Sequence, residues 1–333
     1  MNDSANKLFE HHVFDESSCF LCGDSKSAVT KEHVFPKWLL KKFNLWDKKL
    51  TLLNKTKLPY RLLTVPCCSS CNNGQLSSLE NQIKTNIESG YQAALLLDTD
   101  IWFLWLTKLY YGILRKELYL KYDRSNPNSP SIIAPSDLQA LNSLHLFLQQ
   151  VLDKHYFVDH RPYSLFLTNL HVEPAHEFFC LDTFFPSSIL LRLGGVGVFC
   201  IFEDMGNTQH EYGWYLKKVA GRKLHRIQFH ELYAYAVYQS SRLTHTPSYT
   251  TLPLETENES QVKITTMNYR GHIADWNRDD FLEVFYYSLK SMVKDKDVLR
   301  QPDGKVTTWM SEDGENPYIL SLDEWNTLRS KSV

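Results

Sequence analysis

Two pairs of cysteines with the same spacing, Cys19-Phe-Leu-Cys22 and Cys68-Ser-Ser-Cys71, stand 45 residues apart near the start of this 333-residue chain. A CxxC turn aims two thiolates at one point, and two such turns complete the tetrahedral set that a zinc ion takes. The chain between them must therefore loop out and return. Gly23 directly after the first pair suits a tight knuckle, because glycine tolerates the positive φ such turns require. Seven cysteines in all, an odd number gathered mostly at one end, fit metal binding better than disulfides. Cys67 reads as a spectator, since CxxC matches the first knuckle better than a CxxxC formed with Cys71. Cys180 and Cys200 lie in apolar contexts and read as core.

A closed four-cysteine site is structural by default, but here other chemistry-bearing residues surround it. Between the knuckles runs Lys31-Glu32-His33-Val34-Phe35-Pro36-Lys37-Trp38-Leu39, and Asn72 and Asn73 follow the last cysteine. This pattern, over roughly residues 19 to 80, resembles the HNH (ββα-metal) nuclease family, especially its zinc-containing branch typified by phage recombination endonuclease VII. The resemblance implies a treble-clef-like module in which two knuckles clamp a β-hairpin onto a helix. It implies His33 as the catalytic histidine, and Glu32 and Asn72 as ligands of a catalytic divalent ion. Two departures stand out: the acid is Glu rather than the more usual Asp, and no HxxxH follows the second knuckle. The third metal ligand is open, with Glu80 either supplying a carboxylate or standing as a solvated helix residue. Asn73 is an alternative to Asn72, or a cap for the helix that follows.

The residue types suit phosphodiester hydrolysis independently of the family. An imidazole titrates near neutrality and can take a proton from water. A Mg²⁺ or Mn²⁺ ion on hard oxygens such as those of Glu32 and Asn72 can stabilise the charge that develops on the phosphate. Overall charge does not decide the partner, since 36 basic residues face 38 acidic ones. Locally, residues 23 to 65 hold ten basic side chains against three acidic, an excess of seven, as phosphate binding requires. The expected reading is an endonuclease with structural Zn²⁺, catalytic Mg²⁺ or Mn²⁺ and nucleic acid as substrate. Family resemblance points to double-stranded DNA and to roles in anti-phage defence or mobile elements. The alternatives are a zinc-dependent binding module for nucleic acid or protein without catalysis, and an RNA-cleaving toxin.

The rest of the sequence reads as an α+β protein in two parts, 1–95 carrying the zinc module and 96–333 a larger mixed domain that targets, senses or dimerises. An activating partner protein fits that second part equally. Residues 101–114 form a helix apolar on most sides, too short for the roughly 20 residues of a membrane span, and its aromatic stripe reads as core rather than as base-stacking platforms. A second helix is expected over 138–152, strands over 164–167, 188–193 and 196–202, and helices near 224–242 and 279–293 with a loop, 244–259, between them. His230 and Glu231 read as a packed pair rather than a second site. His11 and His12 belong to a polar opening segment. That opening has neither a signal nor a transit pattern, so a cytoplasmic location is expected.

Overall fold

A computed structural model describes residues 16–152, 155–157, 161–245, 247–255, 260–267, 273–301 and 304–310. His11, His12 and the opening segment lie outside them. The fold is mixed α+β, and the chain divides into two compact units. The first takes residues 1–89, 96–161 and 247–268, and the second takes 90–95, 162–246 and 269–333. The division differs from the expected one at residue 95.

The reason is the helix expected to open the second part. In the first unit β1 (Val29–His33) pairs antiparallel with β4 (Thr64–Cys68), and a small hairpin of β2 (Lys49–Thr51) and β3 (Lys57–Pro59) stands between them in the chain, after the short α1 (Lys37–Lys42). A π-helical turn, Cys71–Leu76, leads into α2 (Ser77–Glu88). A module of this size has little core of its own. The long α3 (Thr99–Leu118), capped at Asp98, supplies one by packing against α2, β4 and α4 (Asn142–Leu148). Trp102, Trp105, Tyr110 and Tyr111 on α3 are buried, so the aromatic stripe is core. At Gly112 the helix comes so close to the residue after β1 that an added Cβ would lie 2.9 Å from Val34 Cγ1.

The helix expected over 138–152 breaks into Pro135–Ala140, α4 and a 3₁₀ turn. The segment expected as a loop, 244–259, instead contains the strand Ser248–Glu255, which pairs with Ser260–Met267 and, through it, with His155–Phe157. Pro253 hid this strand, although its threonines favour one. It lies at the sheet edge, where a proline forfeits no ladder hydrogen bond.

The second unit is a five-stranded sheet in the order β9-β5-β8-β7-β6, formed by β5 (Tyr163–Leu170), β6 (Phe178–Thr183), β7 (Ser188–Leu193), β8 (Val196–Phe202) and β9 (Lys223–Leu224). Its pairings are antiparallel except β9 with β5. α5 (Asn207–Val219), α6 (Arg226–Ser241) and α7 (Arg278–Leu289) complete it, with Phe166, Leu190, Phe199, Phe229 and Tyr233 in one apolar cluster. Cys200 is core, whereas Cys180 on the edge strand β6 is only half-buried. His230 and Glu231 find separate partners: His230 Nδ1 meets Ser288 O at 2.6 Å, and Glu231 accepts from Thr308 Oγ1 and Trp309 N. No helix among the described residues is long and apolar enough to cross a membrane.

Candidate metal centre and imidazole site

The expected knuckles come together. The first turn closes with Gly23 N donating to Cys19 O at 2.9 Å, and Gly23 takes φ 73°, the conformation that favours glycine. Cys68 ends β4 and Cys71 opens the π-helical turn. The sulfurs of Cys19, Cys22, Cys68 and Cys71 all lie within 4.8 Å of one another, and Cys22 Sγ is 3.8 Å from Cys68 Sγ. A tetrahedral zinc with bonds of about 2.3 Å sets its sulfurs about 3.8 Å apart, so the four residues fit the ion.

Proton energetics point the same way. Hydrogen bonds from Cys22, Cys67 and Cys71 pull the Cys19 thiol far below its ordinary range. The hydrogen bonds to Cys19 hold Cys22 up at about 11 and drive Cys67 and Cys71 higher still. Crowding alone thus keeps protons on Cys22 and Cys71, and a zinc ion would displace them, because metal ligation requires the thiolate. The cluster is braced from α4 and the turn after it. His145 Nε2 lies 3.1 and 3.0 Å from the carbonyls of Phe20 and Leu21, so that nitrogen carries the proton, and Gln149 Nε2 donates to Leu21 O at 3.4 Å. Cys67 Sγ lies 3.8 Å from Cys19 Sγ, beside the four-sulfur set rather than in it.

Glu32 and Glu80 also come together, but around a lysine. Lys108 on α3, with no exposed side-chain surface, donates to Glu32 Oε1 at 2.7 Å and Glu80 Oε1 at 2.8 Å. The same ammonium reaches the carbonyls of His33 and Val34 at 2.7 and 2.9 Å. Three N–H donors thus meet four acceptors, and the group is saturated. Burial raises the pKa of Glu80 against the opposing pull of Lys108. Burial works against the charge on Lys108, but Glu32 and Glu80 outweigh it and hold the ammonium above its ordinary pKa. Sequence reading did not assign Lys108 a partner. Its one signal was a cation on a helix apolar on most sides, and a buried lysine must be paired.

The remaining two candidates stand elsewhere. Adjacent residues of a strand face opposite sides, so His33 turns away from Glu32. Its ring stacks on Trp46 with centroids 5.9 Å apart, and among the described residues neither ring nitrogen is hydrogen-bonded. Burial and the nearby Lys37 lower its pKa below the usual 6.5, which keeps the imidazole neutral at pH 7. Asn72 Nδ2 donates to Thr30 Oγ1 at 2.9 Å, and Thr30 Oγ1 donates to Cys67 O. Asn73 Nδ2 donates to Ser69 Oγ. Among the described residues, the four cysteines are the one group of cysteine, histidine and acidic side chains spaced to hold a metal ion. Glu32 and Glu80 meet on the Lys108 ammonium, and Asn72 is hydrogen-bonded to Thr30.

The segment that carries the imidazole is basic, and Lys37 is close enough to depress the His33 pKa. Lys26, Lys31, Lys37, Lys41, Lys42, Lys48, Lys49, Lys55 and Lys57 are all exposed, and among the described residues only Arg61 of the ten basic residues is engaged in an ion pair, with Asp47 at 2.9 Å. A shallow polar groove lined by Asn73, Ser77, Asn81, Gln82 and Thr85 follows the outer side of α2. Comparison of the chain with protein-family models, curated proteins and solved structures gives no match.

Proposed function

We propose that the chain is a nuclease of the HNH type, in which zinc on Cys19, Cys22, Cys68 and Cys71 holds a hairpin and helix so that His33 can act as general base on a phosphodiester. The observation that carries this reading is the state of His33: half-buried, neutral at physiological pH, with both ring nitrogens open, on a hairpin bordered by exposed lysines. A base must be unprotonated and within reach of the water it activates, and a phosphate backbone must be drawn to it by a positive surface. Zinc is confined to a structural part, because four thiolates leave it no open position. A Mg²⁺ or Mn²⁺ ion would supply charge stabilisation, but Lys108 already holds the two carboxylates, so no step is assigned to such an ion.

The same fact favours a second reading. With Glu32 and Glu80 spent on Lys108, the module is suited to bind nucleic acid through its lysines without cutting it. Incubating the zinc-loaded protein with plasmid DNA and with single-stranded RNA, with and without Mg²⁺, separates the two. Shortened or nicked product supports the nuclease. Retardation of intact nucleic acid in a gel supports the binding module.

A further inference from the structure

Arg192 in the second unit has no place in the chemistry above. It sits on β7, an interior strand of the sheet, and is only 4% exposed. Its Nε is buried without a hydrogen-bond partner among the described residues. It lies over the ring of Phe179, 6.0 Å away. A buried guanidinium without partners is costly, and natural proteins rarely leave one so.

Its surroundings make the cost larger. Ser188, Leu190 and Arg192 share one face of β7, by the alternation of a strand. That face meets α6: Ser188 Oγ lies 2.8 Å from Tyr233 Oη, and Leu190 packs in one cluster with Phe229 and Tyr233. Two residues further along the strand, about 6.6 Å, Arg192 comes toward the amino end of α6, where the His225 side chain caps the first turn and the aligned peptides leave a partial positive charge. The packing of Phe179 on His230, with centroids 4.8 Å apart, ties the same corner to the first turns of α6. Arg226, the first residue of that helix, adds a second guanidinium. Burial first, and then Arg226, pulls the pKa of Arg192 down to about 10. His225 and His230 are neutral, since burial and the two arginines bring each to about 3. Among the described residues the carboxylate set against these cations is Glu173, 3.2 Å from His225 Nε2 and 3.6 Å from Arg226 Nε. Glu173 thus sits against His225 and Arg226, while no ion pair to Arg192 occurs among the described residues.

We propose that this corner of the second unit is a binding site for a phosphate-type oxyanion of a small molecule, with Arg192 as its principal ligand and Arg226 and the amino end of α6 beside it. A guanidinium presents a planar fork of N–H groups that matches phosphate oxygens, and a helix amino end adds to the attraction. Glu173 lies on the half-exposed stretch before the Pro174–His176 turn.

The test is titration of the intact zinc-loaded protein with inorganic phosphate, by calorimetry and by thermal shift, in wild type, Arg192→Met and Arg192→Lys. Wild type should bind saturably, with a melting temperature that rises as the site fills. Arg192→Met removes a buried unpaired charge, so it should fold at least as stably in phosphate-free buffer and bind more than tenfold more weakly. Arg192→Lys keeps the charge without the fork and should fall between. If wild type shows no saturable binding, or Arg192→Met responds to phosphate as wild type does, the site does not exist. If Arg192→Met melts well below wild type without phosphate, and phosphate shifts neither, Arg192 is a structural residue and the proposal fails.

Discussion

Replacing Lys108 with methionine should destabilise the first unit, and the pH dependence of the loss should identify the cause. Methionine keeps the length and most of the volume of the stem but removes the ammonium that Glu32, Glu80 and two main-chain carbonyls share. Breaking a buried ion pair by deleting one partner costs about 3–5 kcal/mol, because the other partner is left charged and dry. Domains are stable by only about 5–15 kcal/mol in total. A loss of about 3–5 kcal/mol is therefore expected at pH 8, measured by urea denaturation of the zinc-loaded protein and followed by the fluorescence of the buried Trp102 and Trp105. The loss should shrink as the pH falls. Burial already raises Glu80 above its ordinary pKa, and without Lys108 it rises further. A carboxylate raised in the folded state favours folding below its unfolded pKa and loses that contribution as pH rises through the folded pKa. At pH 5 the variant can protonate Glu80 and recover part of the deficit. A loss below about 1 kcal/mol at pH 8, or one that grows toward pH 5, would refute the reasoning.

Four further outcomes follow from the same geometry. Purified protein should carry one zinc by elemental analysis, Cys22→Ser and Cys71→Ser should lose it, and Cys67→Ser should keep it, because Cys67 stands beside the four-sulfur set. Gly112→Ala should cost about 1–3 kcal/mol by denaturant titration, since its Cβ would overlap Val34, the residue after His33; a neutral result would mean that the helix and hairpin can part without strain. If His33 is the base, the acid limb of kcat/KM should have its midpoint below pH 6.5, because burial and Lys37 depress the imidazole, and activity should fall only as the pH drops through that lowered value. Lys37→Ala should move this midpoint upward.

The cysteine spacing was enough to place the metal cluster, because thiolates at CxxC spacing have one common use and zinc imposes the geometry. The strands 188–193 and 196–202 were equally legible, since each is a short apolar run broken at Gly194 and Gly195. What the sequence did not disclose depends on partners far along the chain. Glu32, Glu80 and Lys108 are separated by tens of residues, and only the fold shows that one ammonium joins them. Adjacency in sequence suggested that Glu32 and His33 work at one point, yet on a strand adjacency sends them to opposite faces. The boundary at residue 95 followed a change in composition. A helix apolar on most sides, however, is drawn into whichever module lacks a core, and α3 serves the zinc module.

The central claim is that His33 activates water on a zinc-clamped scaffold. The most direct measurement is the rate of nucleic-acid cleavage by His33→Ala against wild type, with both proteins shown to hold one zinc and the same fold. A general base contributes about 10²–10⁴-fold, so a loss of at least a hundredfold with zinc retained is predicted. Equal rates in the two proteins, or no cleavage of DNA or RNA by wild type, would contradict the claim and leave the lysine-rich binding module as the account of this chain.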